Sequence, residues 1–187
     1  MSTRPRYRCS LLMLAGLLTA VVAAPLAAQA PRVGTTPDWL QETLSSRVET
    51  AHLVAVADPI DRTAIPANGK IILTLRLTPR AGMRIYAHDV TGYVPLSVRL
   101  DAMEGAIVEP PSYPSSEWYE FPPTRERSRV YSTSVTVKQA VVLSEAARRR
   151  FVRGEGFPWT GTLRYQACDD RLCYRVTNAQ IAWTPPP

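Results

Sequence analysis

Residues 70–78 read Lys-Ile-Ile-Leu-Thr-Leu-Arg-Leu-Thr, and this stretch decides the fold class. Every second side chain in it is a large aliphatic one: Ile71, Leu73, Leu75 and Leu77. Alternation with mostly polar residues is the period of a strand with one buried face and one largely wet face. Asn68 and Gly69 form a turn signal just before it. The stretch therefore predicts a β-strand that starts after a tight turn.

Six further runs rich in valine, isoleucine and leucine recur along the chain with turn residues between them. They are residues 51–57, 82–88, 95–100, 129–138, 161–168 and 173–183. Seven short strands with this punctuation, in a chain with 17 prolines, predict an all-β domain built as an antiparallel β-sandwich.

Two segments between the strands depart from this pattern. Residues 144–153 predict one short connecting helix, because Ser144 is a suitable N-cap and Gly154 ends the helix-favouring run. Residues 110–123 hold five prolines together with several aromatic residues. They predict a loop without regular structure that covers apolar surface.

The N-terminus is typical of a secretory signal peptide, with basic residues before an apolar run over 11–24 and small residues after it. We expect cleavage after Ala28, or as late as Ala30, and therefore a periplasmic or secreted protein. The alternative is an uncleaved anchor, but small residues at the end of the run are what processing requires.

The rest of the chain divides into three parts. After a signal peptide of residues 1–28, we expect a loosely ordered leader over 29–49, one folded domain over 50–184 and a tail over 185–187. About 157 residues remain after processing, which suits one domain with a real core.

Charge and histidine content exclude several classes of function. Loss of Arg4, Arg6 and Arg8 with the signal leaves 19 of the 22 basic residues against 16 acidic ones, so the net charge falls from +6 to +3. Without a dense basic patch, nucleic acid is not an expected partner. His52 and His88 lie on different predicted strands, so we expect no metal site, no cofactor and no Ser-His-Asp triad.

The chemistry of the chain is concentrated in Cys168 and Cys173, which four residues separate. A loop of this size between two strands places the cysteines opposite each other, with Cβ atoms about 4.5–5.5 Å apart, so a disulfide is feasible. The parity of the strands places both cysteines on the polar face, with Gln166 and Arg175. Beyond Thr177 the apolar pattern changes parity, which predicts either a bulge or a new pairing partner there.

From these residues alone the pair has two interpretations. Exported proteins commonly carry structural disulfides. Closing so small a loop, however, stabilises a fold by only about 2 kcal/mol, and a polar hairpin tip is accessible to a partner's sulfur. Asp169 and Asp170 oppose thiolate formation while nearby arginines favour it, so local charge leaves both interpretations open.

The segment Tyr-Gln-Ala-Cys-Asp-Asp-Arg-Leu-Cys-Tyr over 165–174 resembles the active-site hairpin of the periplasmic DsbD N-terminal domain family, from the thiol:disulfide interchange proteins. The upstream order is also similar: Gly-Met-Arg-Ile-Tyr over 82–86, a Tyr113-Pro114 turn, an aromatic loop and a strand near Tyr131. The resemblance covers residues 53–183. Arg175 and Val176 depart from it, because prolines often stand there in the family.

The resemblance implies an immunoglobulin-like sandwich that takes electrons from a membrane-embedded partner, here a separate protein, and passes them to thioredoxin-like periplasmic proteins. It implies that Cys168 and Cys173 are the redox pair. An aromatic cap loop over the cysteines is implied at Trp118, Tyr119 and Phe121. The implied site-lining residues are Tyr86, Asp169, Asp170 and Tyr174. The alternative function is a non-catalytic immunoglobulin-like binding module in which the bridge is structural.

Overall fold

The structure, a computed structural model, describes residues 45–186. In this part of the chain the strands run in the order β1 (Arg47–Glu49), β2 (Leu53–Ala57), β3 (Lys70–Pro79), β4 (Arg84–Tyr86), β5 (Ser97–Leu100), β6 (Ala106–Val108), β7 (Glu117–Glu120), β8 (Arg127–Tyr131), β9 (Val135–Leu143), β10 (Trp159–Tyr165), β11 (Ala167–Cys168) and β12 (Thr177–Trp183). A 3-10 turn at Arg62–Ala64 follows β2, and helix α1, Glu145–Val152, follows β9.

The strands form three antiparallel sheets. One sheet has five strands in the order β1-β2-β3-β9-β6. A second has three strands, β12-β10-β5, and a third has four, β11-β4-β8-β7. Cys168, the last residue of β11, therefore belongs to the third sheet.

Strand β3 is confirmed where the alternating pattern predicts it. Leu73 and Leu75 are each 1% exposed, whereas Ile72, on the other face of the strand, is half exposed. The strand lies between β2 and β9, so both of its edges are hydrogen-bonded. A strand buried on one face and paired on both edges holds the five-stranded sheet together.

The main core lies between the five-stranded sheet and the three-stranded sheet. Leu75 and Val137 enter it from the first sheet, and Leu163 and Ile181 enter it from the second. Trp183 also bonds across the layers, because its Nε1 donates to a backbone oxygen of β3 at 3.1 Å. The predicted fold class is confirmed as an all-β, immunoglobulin-like antiparallel sandwich with one short connecting helix.

Helix α1 forms where the sequence predicts it. The Ser144 hydroxyl oxygen accepts a hydrogen bond from the Ala147 backbone N–H at 3.2 Å, which satisfies one free N–H of the first turn. Phe151 is fully buried and packs against Phe157. The chain leaves the helix at Gly154, whose positive φ favours glycine.

Two predicted segments are wrong in detail. The strand expected over 129–138 is two strands, β8 and β9, which belong to different sheets. They separate at 132–134, where Ser-Thr-Ser offers no apolar side chain to either core. The expected loop over 110–123 contains the edge strand β7. It can form because its four residues lie between the prolines and use only one edge for pairing.

The expected signal peptide, residues 1–28, lies outside the described part of the chain, as does the leader up to residue 44. Residues 47–49 form β1, which pairs with β2. No helix between residues 45 and 186 has the length and apolar character needed to cross a membrane.

Candidate functional site

Cys168 and Cys173 form a disulfide, and their Cα atoms are 4.0 Å apart. Cys168 ends β11, where it pairs with Arg84 of β4. Cys173 belongs to no strand and meets Cys168 in an isolated antiparallel bridge. The cysteines therefore face each other across the loop, but only Cys168 is held by the ladder of a sheet.

The two chain segments change register between the loop and the sandwich. Tyr165 of β10 pairs with Thr177 of β12, whereas Cys168 faces Cys173. Two residues lie between Tyr165 and Cys168, whereas three lie between Cys173 and Thr177. The returning segment therefore holds one extra residue, as in a β-bulge. The sequence therefore predicts the bulge at the wrong position, beyond Thr177. The extra residue lies before Thr177, and this position turns Ile181 toward the core.

The disulfide is less accessible than a polar strand face predicts. Cys168 is only 6% exposed, because Tyr86 of β4 and Val130 of β8 pack around it in a small cluster separate from the main core. Cys173 is partly exposed. The two sulfurs thus differ in their access to a partner.

A small pocket lies beside Cys168, with Val130 in its wall. Most of the remaining wall is aromatic and comes from Tyr86, Tyr93, Tyr119 and Phe121. These aromatic side chains therefore form an apolar cover over Cys168, the more buried cysteine.

Tyr86 contacts the other cysteine directly. Its hydroxyl oxygen lies 3.4 Å from Cys173 Sγ and must be the donor, because a disulfide sulfur carries no proton. The ring stacks on Tyr93 at 4.2 Å between centroids, and the Tyr93 hydroxyl donates to Glu126 Oε2 at 2.5 Å. Burial, aided by Tyr93, raises the pKa of Tyr86, so its hydroxyl keeps the proton at neutral pH.

Strands β7 and β8 form the cap hairpin, residues 117–131, which covers the pocket. Successive side chains of a strand point to opposite faces. Tyr119 and Phe121 accordingly line the pocket, whereas Trp118 is 60% exposed and does not. The guanidinium of Arg129 lies 5.5 Å from the centroid of the Trp118 ring, on the face away from the disulfide.

Asp170 joins the cysteine loop to the cap hairpin. Its Oδ1 accepts a hydrogen bond from the Tyr119 hydroxyl at 2.5 Å and lies 2.8 Å from Arg84 Nη1. The Arg84 guanidinium also stacks over the Tyr119 ring, 3.9 Å from its centroid. The Tyr119 hydroxyl and then Arg84 hold the pKa of Asp170 below its usual range.

Asp169 turns the other way and bonds within the loop. Its Oδ1 accepts from the backbone N–H groups of Arg171 and Leu172, at 2.7 and 2.8 Å, and its Oδ2 accepts from the Tyr174 hydroxyl at 2.8 Å. The Leu172 and Arg171 bonds, followed by that of Tyr174, lower the pKa of Asp169. Tyr174 therefore contacts the loop through Asp169.

A family model described as the N-terminal part of the thiol:disulfide interchange protein DsbD matches residues 50–185. The chain belongs to the DsbD N-terminal domain family. The resemblance of the cysteine hairpin to this family is thereby confirmed.

Two solved structures are similar to this DsbD N-terminal domain. The N-terminal periplasmic domain of ScsB from Proteus mirabilis has a TM-score of 0.49 and 16% identity, and the match covers 76% of this chain and 53% of that one. The Neisseria meningitidis DsbD N-terminal domain in the reduced form has a TM-score of 0.42 and 17% identity, with 66% and 82% covered. The chain thus spans about half of the ScsB structure. No curated protein matches the sequence.

Both histidines of the chain have aromatic neighbours in this DsbD N-terminal domain. His52 lies against Tyr174, and His88 stacks on Tyr113 and contacts the Tyr131 hydroxyl through Nδ1 at 2.9 Å. Within residues 45–186, no group of three or more histidine, cysteine, aspartate or glutamate side chains could hold a metal ion.

Several residues of the site were not identified from the sequence, among them Val130, Arg84, Tyr93 and Glu126. Arg84 precedes Tyr86 by two positions on β4, so strand parity could have placed both on the disulfide side. Tyr93 and Glu126 lie far apart in the sequence and outside strands, and no periodic pattern connects them. Their contact follows from the fold of the DsbD N-terminal domain alone.

Proposed function

We propose that this domain performs thiol–disulfide exchange through Cys168 and Cys173. The observation that carries the proposal is a disulfide across a four-residue loop, placed under an aromatic pocket in a DsbD N-terminal domain. As a structural staple, so short a loop would contribute only about 2 kcal/mol. The position suits a bond that is made and broken by a partner.

The difference in exposure supports different roles for the two sulfurs in this proposal. An incoming thiolate attacks Cys173 Sγ, the more exposed sulfur; a new bond forms to the partner and the Cys168–Cys173 bond breaks. Cys168 leaves as a thiolate inside the aromatic cluster. A second partner thiol then resolves the mixed disulfide, so the domain gains two electrons and the partner becomes a disulfide.

The reverse half-reaction uses the same sulfurs. The Cys173 thiolate attacks the disulfide of an acceptor, and Cys168 then attacks Cys173 Sγ, which releases the acceptor as a dithiol and restores the bridge. Tyr86 is placed to donate a hydrogen bond to Cys173 in the thiolate form. Such a bond favours the charged sulfur and therefore the nucleophile.

The cap hairpin controls access in this proposal. Tyr119 and Phe121 shield the pocket beside Cys168, so the hairpin keeps partner thiols away from the buried sulfur and leaves Cys173 as the point of attack. Trp118 points away from the sulfurs and is available to contact solvent or a partner.

The proposed partners are a membrane-embedded reductant and thioredoxin-like extracytoplasmic proteins. These partners require export, and we assign it to a signal peptide over residues 1–28, cleaved after residue 28 or as late as residue 30. The folded domain is assigned to residues 50–184. N-terminal sequencing of the mature protein from the periplasmic fraction tests the cleavage site. Intact residues 1–28 in a membrane fraction would contradict it.

Trapping of a mixed disulfide tests the exchange. Cys168→Ala removes the resolving thiol, and the partner is a purified thioredoxin-like periplasmic protein whose single active-site cysteine carries 2-nitro-5-thiobenzoate as a mixed disulfide. The Cys173 thiolate should attack the partner's sulfur, release thionitrobenzoate and remain bonded to that cysteine. The product is measured as a covalent complex on a non-reducing gel, sensitive to dithiothreitol.

Cys173→Ala is the matched control, since it leaves one cysteine in the same loop but in the more buried position. It should form much less complex. If neither variant forms a complex, while replacement of both cysteines leaves partner binding intact, the domain is a binding module with a structural bridge. If Cys168 is the sulfur trapped, the assignment of roles is reversed.

A further inference from the structure

The loop between the cysteines has a support that does not depend on the disulfide. Asp169 accepts two backbone N–H bonds through Oδ1, from Arg171 and Leu172. Its own backbone N–H donates to the Leu172 oxygen at 3.0 Å. A carboxylate that bonds backbone groups two and three residues ahead fixes a tight turn. The turn is therefore closed by Asp169 itself.

The segment after Cys173 is anchored by the same carboxylate. Asp169 Oδ2 accepts from the Tyr174 hydroxyl at 2.8 Å. The Tyr174 backbone N–H donates to the Ala167 oxygen at 2.8 Å, and its ring lies 4.4 Å from that of His52, between centroids. Asp169 thus bonds the turn between the cysteines through one carboxylate oxygen and Tyr174, the residue after Cys173, through the other.

The two cysteines depend on this support to different degrees. Cys168 is held by β11, whose pairing with β4 uses backbone groups and not the sulfurs. Cys173 lies in no strand, and within residues 45–186 its ladder contact is with Cys168 alone. Without the S–S bond, the contacts left to hold Cys173 opposite Cys168 are those of Asp169 and Tyr174, together with the bond from Gln166 Nε2 to the Tyr174 oxygen and the contact of the Tyr86 hydroxyl.

We propose that Asp169 is a positioning residue that sets the reduction potential of the pair, by holding Cys173 against Cys168 when both are thiols. This inference rests on the proposed function, in which the pair cycles between both states. An ordered dithiol has a high effective concentration of one thiol at the other, and this favours the disulfide. Asp169 therefore makes the bridged form more stable relative to the dithiol.

The effect is specific to one redox state. In the bridged form the S–S bond already restricts Cys173, so loss of the Asp169 bonds frees little additional motion. In the dithiol form, loss of the Asp169 bonds lets the loop sample many conformations. The added conformational entropy lowers the free energy of the dithiol relative to the bridged form. Removal of Asp169 should therefore shift the equilibrium toward the dithiol.

Equilibration of the purified domain with glutathione tests this. Two protein thiols and one glutathione disulfide give the protein disulfide and two glutathione thiols, a two-electron exchange. For Asp169→Ala we expect the equilibrium constant for disulfide formation to fall about tenfold, a potential higher by about 30 mV. Asp169→Asn keeps an acceptor oxygen for the turn and should shift it less.

Asp170→Ala is the first control, because it removes the same charge from the same loop but leaves the turn intact. Its equilibrium constant for disulfide formation should change less than that of Asp169→Ala, because Asp170 bonds Tyr119 and Arg84 and none of the backbone groups of the turn. An equal shift in Asp169→Ala and Asp170→Ala would overturn the proposal and indicate a general charge effect.

Asp61→Ala is the second control, since Asp61 Oδ1 bonds the backbone N–H and hydroxyl of Thr63 in a similar turn outside the cysteine loop. It should lower stability without any change in potential. An unchanged potential in both Asp169 variants would also refute the role. Because glutathione replaces any protein partner, failure here is distinct from failure of the trapping experiment.

Discussion

The Tyr119 hydroxyl donates a 2.5 Å hydrogen bond to Asp170 Oδ1, and this bond joins the cap hairpin to the loop between the cysteines. The two groups come from segments that are far apart in the chain. Arg84 contacts both of them, through its guanidinium over the Tyr119 ring and an ion pair with Asp170. Opening the cover over the disulfide therefore requires breaking a contact with the loop that carries the chemistry.

Tyr119→Phe should increase the rate at which dithiothreitol reduces the disulfide. The substitution removes one hydrogen bond worth about 1 kcal/mol and keeps the ring over which Arg84 stacks. We expect a roughly fivefold faster reduction, measured by timed alkylation and mass spectrometry. Trp118→Phe is the control, as Trp118 is exposed on the opposite face. Equal rates in Tyr119→Phe and wild type would show that this bond does not restrain the cap hairpin.

Tyr86→Phe should raise the pKa of the Cys173 thiol. The hydroxyl lies 3.4 Å from Sγ, and a hydrogen bond to a thiolate favours the ionised form. The expected rise is about one pH unit, equivalent to about 1.4 kcal/mol. It is measured as thiolate absorbance against pH in the Cys168→Ala background. Tyr113→Phe, whose hydroxyl contacts the Val98 backbone instead, should leave the titration unchanged.

Acid should remove the contribution of the two loop aspartates to stability. The pKa of Asp169 is lowered mainly by the Leu172 and Arg171 backbone N–H groups, and that of Asp170 mainly by Tyr119. Since the folded-state values lie below the ordinary 3.8, this stability is present above that pH and is lost as the pH falls through the folded-state values.

Thermal unfolding of the oxidised protein checks this dependence. A variant with both aspartates changed to asparagine should melt below the wild type at about pH 6, and the two should converge by about pH 2. A difference that persists unchanged in acid would show that the carboxylate charges do not provide the stability.

Leu75→Ala should destabilise the sandwich by about 2–5 kcal/mol, because it leaves a cavity at a side chain that is 1% exposed. Ile72→Thr on the outer face of the same strand should change the free energy of unfolding by less than about 0.5 kcal/mol. Denaturant unfolding measures both. Similar losses in the two variants would contradict the assignment of the buried face of β3.

The sequence is informative where one segment alone determines the outcome. The alternation around Leu75 specifies a strand face, and Ser144 with Gly154 specifies the ends of a helix. The cysteine bridge is similarly local, since its loop is short, but the strand expected over 173–183 is wrong in its first part, because β12 begins only at Thr177. These features depend on period and turn chemistry, which a single stretch of sequence contains.

The covered environment of the disulfide could not be predicted in the same way. Parity placed Cys168 on a polar face, and it is indeed on the face opposite the main core, but the cap hairpin buries it. Parity also separates Tyr119 from Trp118, yet it cannot say which of the two faces the sulfurs. That choice depends on the pairing of β7 with β8 and of β8 with β4.

The strand that was expected to run through residues 161–168 is divided at Gln166, with Tyr165 in one sheet and Ala167 in another. Tyr165 packs in the main core, whereas Cys168 packs in the separate cluster around the bridge. Ala167 still packs in the main core, so the change from one cluster to the other occurs between Ala167 and Cys168. The neighbouring residues of one short strand thus have separate duties, since Ala167 anchors the strand in the sandwich while Cys168 presents its sulfur to the cluster under the cap hairpin.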